Sequence, residues 1–429
     1  MLHFEKEVPL KGEYEIIVAG GGVAGVAAAV TAARAGKRVL LIEKSVKLGG
    51  LATLGLVNFF VPMCNGRGKQ IIFGMAEELL RRSIAYGYNS LPKEFENGRI
   101  PPEILKQYAE KGKLPPRYMT RFSAEIFALV LTELCQNEGV ELLFDTVVTH
   151  TVATADDAKI LRGLVVENKS GIGYYRAKVF IDATGDGDVM AKMQLPTVTR
   201  GNYHTYYGFQ VTLESCKQAV EQQNIDYAVT PCYGGNANLY GGAHPQEIPL
   251  YNGTKAEEVN RYLISNQLQM LERLKAQNRL ERDVVTLPGM PQFRTTRRID
   301  GDYTLTEQDA FCHFEDSIGA ICDFDRRDYL FEIPYRTMVK SGYDNIITAG
   351  RTVAGEGYAW DVLRVIPPAI ITGQAAGQAA AQALNERCAV AKVNMPALQA
   401  ALAQQRVLIH FNNADVPEKV ENIHENNDN

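Results

Sequence analysis

Several marks of familiar protein classes are missing from this 429-residue chain. Its seven cysteines (Cys64, Cys135, Cys216, Cys232, Cys312, Cys322 and Cys388) are odd in number and form no Cys-x-x-Cys pair. That excludes a zinc ribbon or disulfide framework legible from spacing, and it points to a reducing compartment. The seven histidines, at positions 3, 150, 204, 244, 313, 410 and 424, show no spacing that holds zinc or non-haem iron, so no metal is expected. No run of Lys and Arg forms a basic stripe and the net charge is −5, which argues against nucleic acid as the partner. The longest apolar stretches, 23–33 and 369–384, are closed or broken by Arg34, Gln374 and Gln378 and are too short or too polar for a membrane span. The opening residues carry Glu5, Lys6 and Glu7 where a signal peptide has its apolar core, so the expected location is the cytoplasm. Neither a Gly-x-Ser-x-Gly elbow nor a Walker loop occurs.

What is present begins near the start. Residues 15–19 read as a buried strand, 23–35 as an Ala-rich helix ended by Gly36, and 38–43 as a second buried strand. This βαβ unit implies a parallel sheet. Between its first strand and its helix lies Gly20-Gly21-Gly22-Val23-Ala24-Gly25, a Gly-x-Gly-x-x-Gly pattern through Gly20, Gly22 and Gly25. The three glycines serve a tight turn, close approach to a pyrophosphate and close helix–strand packing. The phosphates then meet the N–H groups and positive dipole end of the helix. Glu43 ends the second strand, 23 residues after Gly20, near the offset of an acid that binds a ribose hydroxyl. A dinucleotide is expected here.

Four further segments follow in order: Leu48-Gly49-Gly50-Leu51-Ala52-Thr53; a strand running into Asp182-Ala183-Thr184-Gly185-Asp186-Gly187-Asp188; Arg297-Arg298-Ile299-Asp300-Gly301-Asp302; and a strand closing on Ala349-Gly350-Arg351, then Arg364-Val365 and a helix bearing Thr372-Gly373-Gln374-Ala375-Ala376-Gly377. With these motifs the chain resembles, over residues 14–384, the FAD-dependent oxidoreductases related to fumarate reductase and succinate dehydrogenase flavoproteins. More closely, it resembles a bacterial branch carrying Ala-Thr-Gly-Asp-Gly-Asp. The resemblance implies one FAD in a glutathione-reductase-like fold. It implies that Gly20, Gly22, Val23, Ala24 and Gly25 hold the pyrophosphate, Glu43 with Lys44 the adenosine ribose, and Gly50, Leu51 and Ala52 the flank of the cofactor. It places the backbone at Val148 by the adenine, and Ala183, Thr184, Gly185 and Asp188 on the pyrophosphate side. Gly350 and Arg351 meet the ribityl and phosphate region, while Arg364, Val365, Ile366 and Thr372 bring a helix N-terminus to the flavin, where positive potential favours its reduced form.

The fold class expected is α/β: a three-layer, Rossmann-like FAD domain with a β-meander, plus an inserted mixed α+β substrate domain. The FAD domain is discontinuous (1–90, 120–200 and 335–400), the substrate or cap domain spans 201–334, and 415–429 is a polar, frayed tail. Residues 91–116 read as a surface excursion, 122–137 as a helix, 140–148 as one strand, and 160–167 with 173–181 as the meander pair. An antiparallel sheet is expected within 203–251 and a helix over 257–282; another strand spans 346–349 and a helix 369–385.

No second Gly-x-Gly-x-x-Gly follows a strand, so no NAD(P)H domain is expected, and a separate electron donor or acceptor shares the flavin site or docks outside. Arg294, Arg297, Arg298, Tyr335, Arg336 and Arg364 fall in segments that the resemblance returns to the flavin. Because Arg grips carboxylates bidentately, the substrate is expected to be a small anion. Arg364, Arg298, Arg336 and Tyr335 are the candidate catalytic residues, with Arg297 as a further member of the clamp. Cys64 is a candidate redox partner or simply a buried small residue. The function expected is hydride transfer between that molecule and flavin N5. A non-redox isomerase or hydratase that keeps FAD as scaffold, or a flavin subunit of an electron-transfer complex, stands as the alternative.

Overall fold

The structure, a computed structural model, describes residues 5–91, 100–420 and 424. Its centre is a five-stranded parallel sheet whose strands run, edge to edge, Ile346–Thr348, Val179–Asp182, Ile16–Ala19, Val39–Ile42 and Glu141–Leu143. Alternate side chains along these strands leave on opposite faces. Ile16, Val18, Val39 and Leu41 join one buried cluster with the helices Val23–Arg34, Ala124–Asn137 and Ile366–Glu386. Ile17, Ala19, Leu40 and Ile42 join a second with Leu161, Leu164 and Val166 of a four-stranded sheet. That sheet has the order Leu10–Glu13, Gly171–Arg176, Leu161–Asn168, Val147–Ala153, and its last three strands form the expected meander. Strands apolar on both faces thus build three layers.

Two strands expected to be continuous are split between the layers. The 140–148 stretch divides into Glu141–Leu143 in the parallel sheet and Val147–Ala153 in the meander, with Asp145 at φ 48 turning the chain between them. The 173–181 stretch divides into Gly171–Arg176 and Val179–Asp182 in the same way. A chain passing from one layer to the next must bend, and hydrophobic alternation alone does not report the bend. The 91–116 excursion contains a helix, Pro102–Glu110, whose proline sits in the first turn where no N–H is required; residues 92–99 lie outside the described residues. The helix expected at 369–385 begins at Ile366 for the same reason, with Pro367 and Pro368 in its first turn. Of the expected tail, residues 421–423 and 425–429 lie outside the described residues.

The helices Val23–Arg34 and Ile366–Glu386 cross closely. A Cβ added to Gly373 would stand 2.1 Å from the Ala24 carbonyl oxygen, and one on Gly377 2.2 Å from that of Ala28. Only glycine admits this approach, so the Thr372–Gly377 motif is first of all a packing surface.

The cap is a three-stranded antiparallel sheet of order Val229–Asn236, Thr205–Thr212, Arg282–Thr286, with the helix Ala256–Lys275 laid over it. Tyr206, Cys232, Tyr262, Met270 and Phe293 form its own small core. The helix stops short of the expected 282 because the chain turns at 276–281 into the third strand. The strand pair Ser317–Cys322 and Leu330–Pro334 packs elsewhere: Ile318, Ile321, Phe331 and Ile333 join the large cluster around the helix Ile366–Glu386. No described helix is long and apolar enough to cross a membrane.

Candidate active site

The C-terminal ends of Ile16–Ala19, Val179–Asp182 and Ile346–Thr348 open onto a cleft of about 460 Å³, the place where open parallel sheets bind ligands. Of the residues singled out from sequence, Gly20, Gly22, Val23, Ala24, Glu43, Lys44, Gly50, Leu51, Ala52, Ala183, Thr184, Gly185, Gly350, Arg351, Arg364 and Ile366 line it.

The three motif glycines divide their work. Gly20 has φ +101, and a Cβ there would lie 2.4 Å from the Ala183 carbonyl oxygen; a Cβ on Gly25 would lie 1.8 Å from the Gly20 carbonyl oxygen. Both are packing positions. A Cβ on Gly22 meets no protein atom within 4 Å, and one on Gly50 meets only Gly22. These two face the cleft, and what their missing side chains leave open is ligand space at the N-terminus of the helix Val23–Arg34. At the far end of the unit Glu43 is fixed by two amides, Gly21 N–H at 2.6 Å and Ser45 N–H at 2.8 Å. Donor-rich backbone beside an ordered carboxylate matches a pyrophosphate joined to a ribose, and FAD fits this set.

The loop after Val179–Asp182 is held rigidly. Asp182 is fully buried and accepts hydrogen bonds from Thr184 N–H at 3.1 Å, Thr184 Oγ1 at 2.7 Å and Met190 N–H at 2.9 Å. Burial pushes its carboxyl up to about 6, against these hydrogen bonds, which favour the ionised form. Arg351 braces the same loop, donating from Nε to the Gly185 carbonyl at 2.7 Å, from Nη2 to Asp186 Oδ1 at 2.6 Å, and from Nη1 to the Phe293 carbonyl. From the opposite side the cap contributes Gly289, Met290 and Pro291, which line the cleft with Leu54. Gly289 N–H bonds the Leu54 carbonyl at 2.8 Å, and Gln292 Nε2 bonds that of Gly55 at 2.7 Å. This strap went unread in the sequence. Its only signal is Pro288-Gly289-Met290-Pro291, a turn-like run that names no ligand.

Other expected residues stand outside the cleft lining. Gly25 packs the turn. Val148 pairs with Val166 in the meander and leans on the second buried cluster. Asp188 opens a short helix and lies 3.8 Å from Arg297. Val365 is the cap residue of the long helix, and Thr372 accepts the Gly350 N–H at 2.9 Å. Three of the four catalytic candidates stand outside the cleft lining, with side chains engaged by other groups. Tyr335 is buried and donates to the Val390 carbonyl at 2.6 Å. Arg336 pairs with Asp316 at 2.9 Å beside the Tyr303 ring. Arg298 is buried, bonds the Ile299 carbonyl at 3.0 Å and lies over Trp360. Arg297 bonds the Asp186 carbonyl at 3.1 Å. Cys64 is buried and outside the lining, and desolvation pushes its thiol up to about 12, so it is no thiolate partner for a flavin.

Arg364 is the candidate that reaches the cleft, and it has company. Its Nε donates to Asp361 Oδ1 at 2.8 Å, while Arg200 Nη2 pairs with Asp361 Oδ2 at 2.8 Å. Arg294, held by the carbonyls of Asn238 at 2.7 Å and Ala237 at 3.2 Å, feels the Arg364 charge. Burial first, and that like charge second, push its guanidinium down to about 10. Asp361 thus pairs with Arg200 and Arg364, and Arg294 feels the charges of both Asp361 and Arg364.

The chain matches the family described as FAD dependent oxidoreductase over residues 15–239 and 236–402. An uncharacterized protein in the nifH2 5′ region of Methanosarcina barkeri is 27% identical over 200 residues, 46% of this chain and 95% of its own length. Among solved structures the chain is similar to a flavoprotein/dehydrogenase of Cytophaga hutchinsonii, with TM-score 0.44 and 14% identity over 91% of this chain and 83% of that one. It is similar also to the OxyS anhydrotetracycline hydroxylase of Streptomyces rimosus, with TM-score 0.41 and 13% identity over 92% of this chain and 66% of that one. A third is the L-proline dehydrogenase of P. horikoshii, with TM-score 0.38 and 15% identity over 94% and 100%. With the motifs, the cleft and a family match spanning most of its length, the chain belongs to the FAD-dependent oxidoreductases, and FAD is its cofactor.

Proposed function

We infer that the enzyme oxidises or reduces a small anionic molecule, a carboxylate being the best fit, held at the Arg364 end of the cleft. The observation that carries this reading is the charge imbalance there. Asp361 is the acid whose charge reaches Arg294, and it already neutralises Arg200 and Arg364. Gathering guanidiniums with too few acids costs stability unless an anion completes the set.

FAD, when bound, supplies the hydride exchange. The chain's own residues do the rest. Asp361 fixes Arg364 through its Nε, which leaves the two terminal nitrogens of Arg364 to grip a carboxylate. Arg294, lowered by its surroundings, adds charge without moving, since two backbone carbonyls hold it. The strap at 289–291 lines the same cleft and gives it a wall from the cap. The cofactor-facing roles of Gly22, Glu43, Gly50, Thr184 and Gly350 belong to the same reading.

The test replaces Arg294 and Arg364 singly by Lys and by Gln in protein shown to retain FAD, and titrates the flavin absorption with a panel of small mono- and dicarboxylates. Loss of a partly buried charge-assisted contact costs about 2–4 kcal/mol. The expected weakening is roughly thirtyfold to several-hundredfold, by Lys as well as Gln, because Lys keeps the charge and loses the fork. Unchanged affinity in all four variants contradicts the anion reading.

A further inference from the structure

Outside the flavin cleft, folding assembles a group that sequence spacing conceals. His313, Glu332 and His410 lie 19 and 78 residues apart, yet one nitrogen or oxygen from each falls within 4.8 Å of the others. Glu332, on the strand Leu330–Pro334, is fully buried. His313 Nδ1 stands 2.6 Å from its Oε1, and His410 Nδ1 stands 3.0 Å from its Oε2, which also accepts the Phe314 N–H at 2.8 Å. The two imidazoles are 39% and 45% exposed, so the group opens to solvent on the histidine side.

The outer nitrogen of His313 settles what its inner nitrogen needs. Nε2 lies 2.6 Å from Asn413 Oδ1, and with the amide in this orientation its oxygen accepts, so Nε2 carries the proton. In a neutral ring Nδ1 is then a lone pair aimed at a carboxylate oxygen 2.6 Å away. Two lone pairs cannot meet at that distance, so the metal-free ring is an imidazolium donating to Glu332, and a metal ion that binds both atoms displaces that proton as they part to ligand spacing. An outer N–H given to an oxygen, with the inner nitrogen turned to an ion, is the arrangement that metal-binding histidines use.

We propose that His313, Glu332 and His410 bind a divalent transition-metal ion of the zinc class. Two imidazole nitrogens and a carboxylate oxygen suit Zn²⁺ at about 2.0–2.2 Å, with water in the fourth position. Asn413 and the Phe411 ring, 4.4 Å from that of His313, orient the first ligand. The ion acts as a clasp. Residues 405–411 follow the helix Met395–Gln404 and run beside Ser317–Cys322, where Ala320 N–H bonds the Leu408 carbonyl at 2.6 Å. His410 thereby ties this C-terminal segment to a strand pair that packs on the long helix. None of the three ligands lines the flavin cleft, so the clasp is independent of the redox chemistry.

The experiment strips the full-length, FAD-loaded protein with a chelator. It then titrates Zn²⁺ by calorimetry and Co²⁺ by visible absorption, and follows the melting temperature. One Zn²⁺ per chain is expected, with a tetrahedral Co²⁺ band and a melting temperature raised by metal and restored by chelator. His313→Ala and His410→Ala remove exposed rings and keep FAD, which verifies folding; each weakens Zn²⁺ at least about a hundredfold and abolishes the Co²⁺ band. Asn413→Ala weakens it about ten- to a hundredfold. Absence of stoichiometric uptake, uptake that survives unchanged in both histidine variants, or a melting temperature indifferent to the metal overturns the proposal.

Discussion

At the scale of single residues, the glycines of the first motif separate ligand space from packing. Gly22→Val adds atoms where the protein has none, so the chain folds while FAD loses its seat. The expected loss is at least about a hundredfold in affinity, roughly 2.7 kcal/mol, and the stability that FAD contributes by mass action goes with it. Gly25→Ala, a smaller change, drives a methyl into the Gly20 carbonyl and fails at folding. Flavin absorbance and circular dichroism check both, and a Gly22→Val protein at full FAD occupancy refutes the assignment. Asp182 gives a pH test. Its folded value, about 6, lies above the ordinary 3.8, so its contribution to stability is full below the ordinary value and is lost as pH rises through 6. The stability advantage of wild type over Asp182→Asn therefore shrinks by about 1 kcal/mol between pH 5 and 8, measured by urea unfolding at saturating FAD. A pH-independent gap contradicts the shift. The sequence displayed Gly20, Gly22, Gly25 and Glu43 because their spacing is local. It did not show that Arg298, Arg336 and Tyr335 are engaged by Ile299, Asp316 and Val390, since only tertiary packing chooses those partners.

At the scale of elements, the strands of the parallel sheet were legible because each is a short, wholly apolar run between turn residues. Their ends were less so. Both 140–148 and 173–181 keep their β character while the chain changes layer, and the deciding event is a local bend at Asp145 or at 177–178. The long C-terminal helix carries two functions read from one motif: its first turn reaches the cleft through Ile366 and Ala369, and its glycines seat it on the helix Val23–Arg34. Gly377→Ala places a methyl 2.2 Å from the Ala28 carbonyl oxygen and should force the helices apart. A loss of about 1–3 kcal/mol is expected, against a smaller loss for a Gly139→Asn control, at an open turn whose φ of +73 Asn tolerates better than other side chains. Chemical denaturation measures it, and equal stability of the two variants contradicts the close crossing.

At the scale of the whole molecule, the cofactor domain and the cap meet at the cleft through few but directional contacts. Arg351 bonds the Phe293 carbonyl, and Gly289 and Gln292 bond the 54–55 backbone, while within the cap Arg294 is held by the carbonyls at 237 and 238. The cap loop thus lines the cofactor cleft through residues 289–291 and carries Arg294, whose charge feels that of Arg364. That arrangement was only half legible. Of the arginines in the returning segments Arg364 was the leading choice and does line the cleft, yet its partners Arg200 and Asp361 are positioned by folding alone. The claim that this charged end of the cleft presents a small carboxylate for hydride exchange with FAD meets its most direct test in anaerobic stopped-flow spectroscopy. The purified, FAD-loaded protein is mixed with a panel of small carboxylates, and the flavin absorption is followed in wild type and in Arg364→Gln. Rapid bleaching by at least one carboxylate, slowed roughly thirtyfold or more in the variant, is the result predicted; a wild-type flavin that stays oxidised with every carboxylate while neutral reductants bleach it would contradict the account.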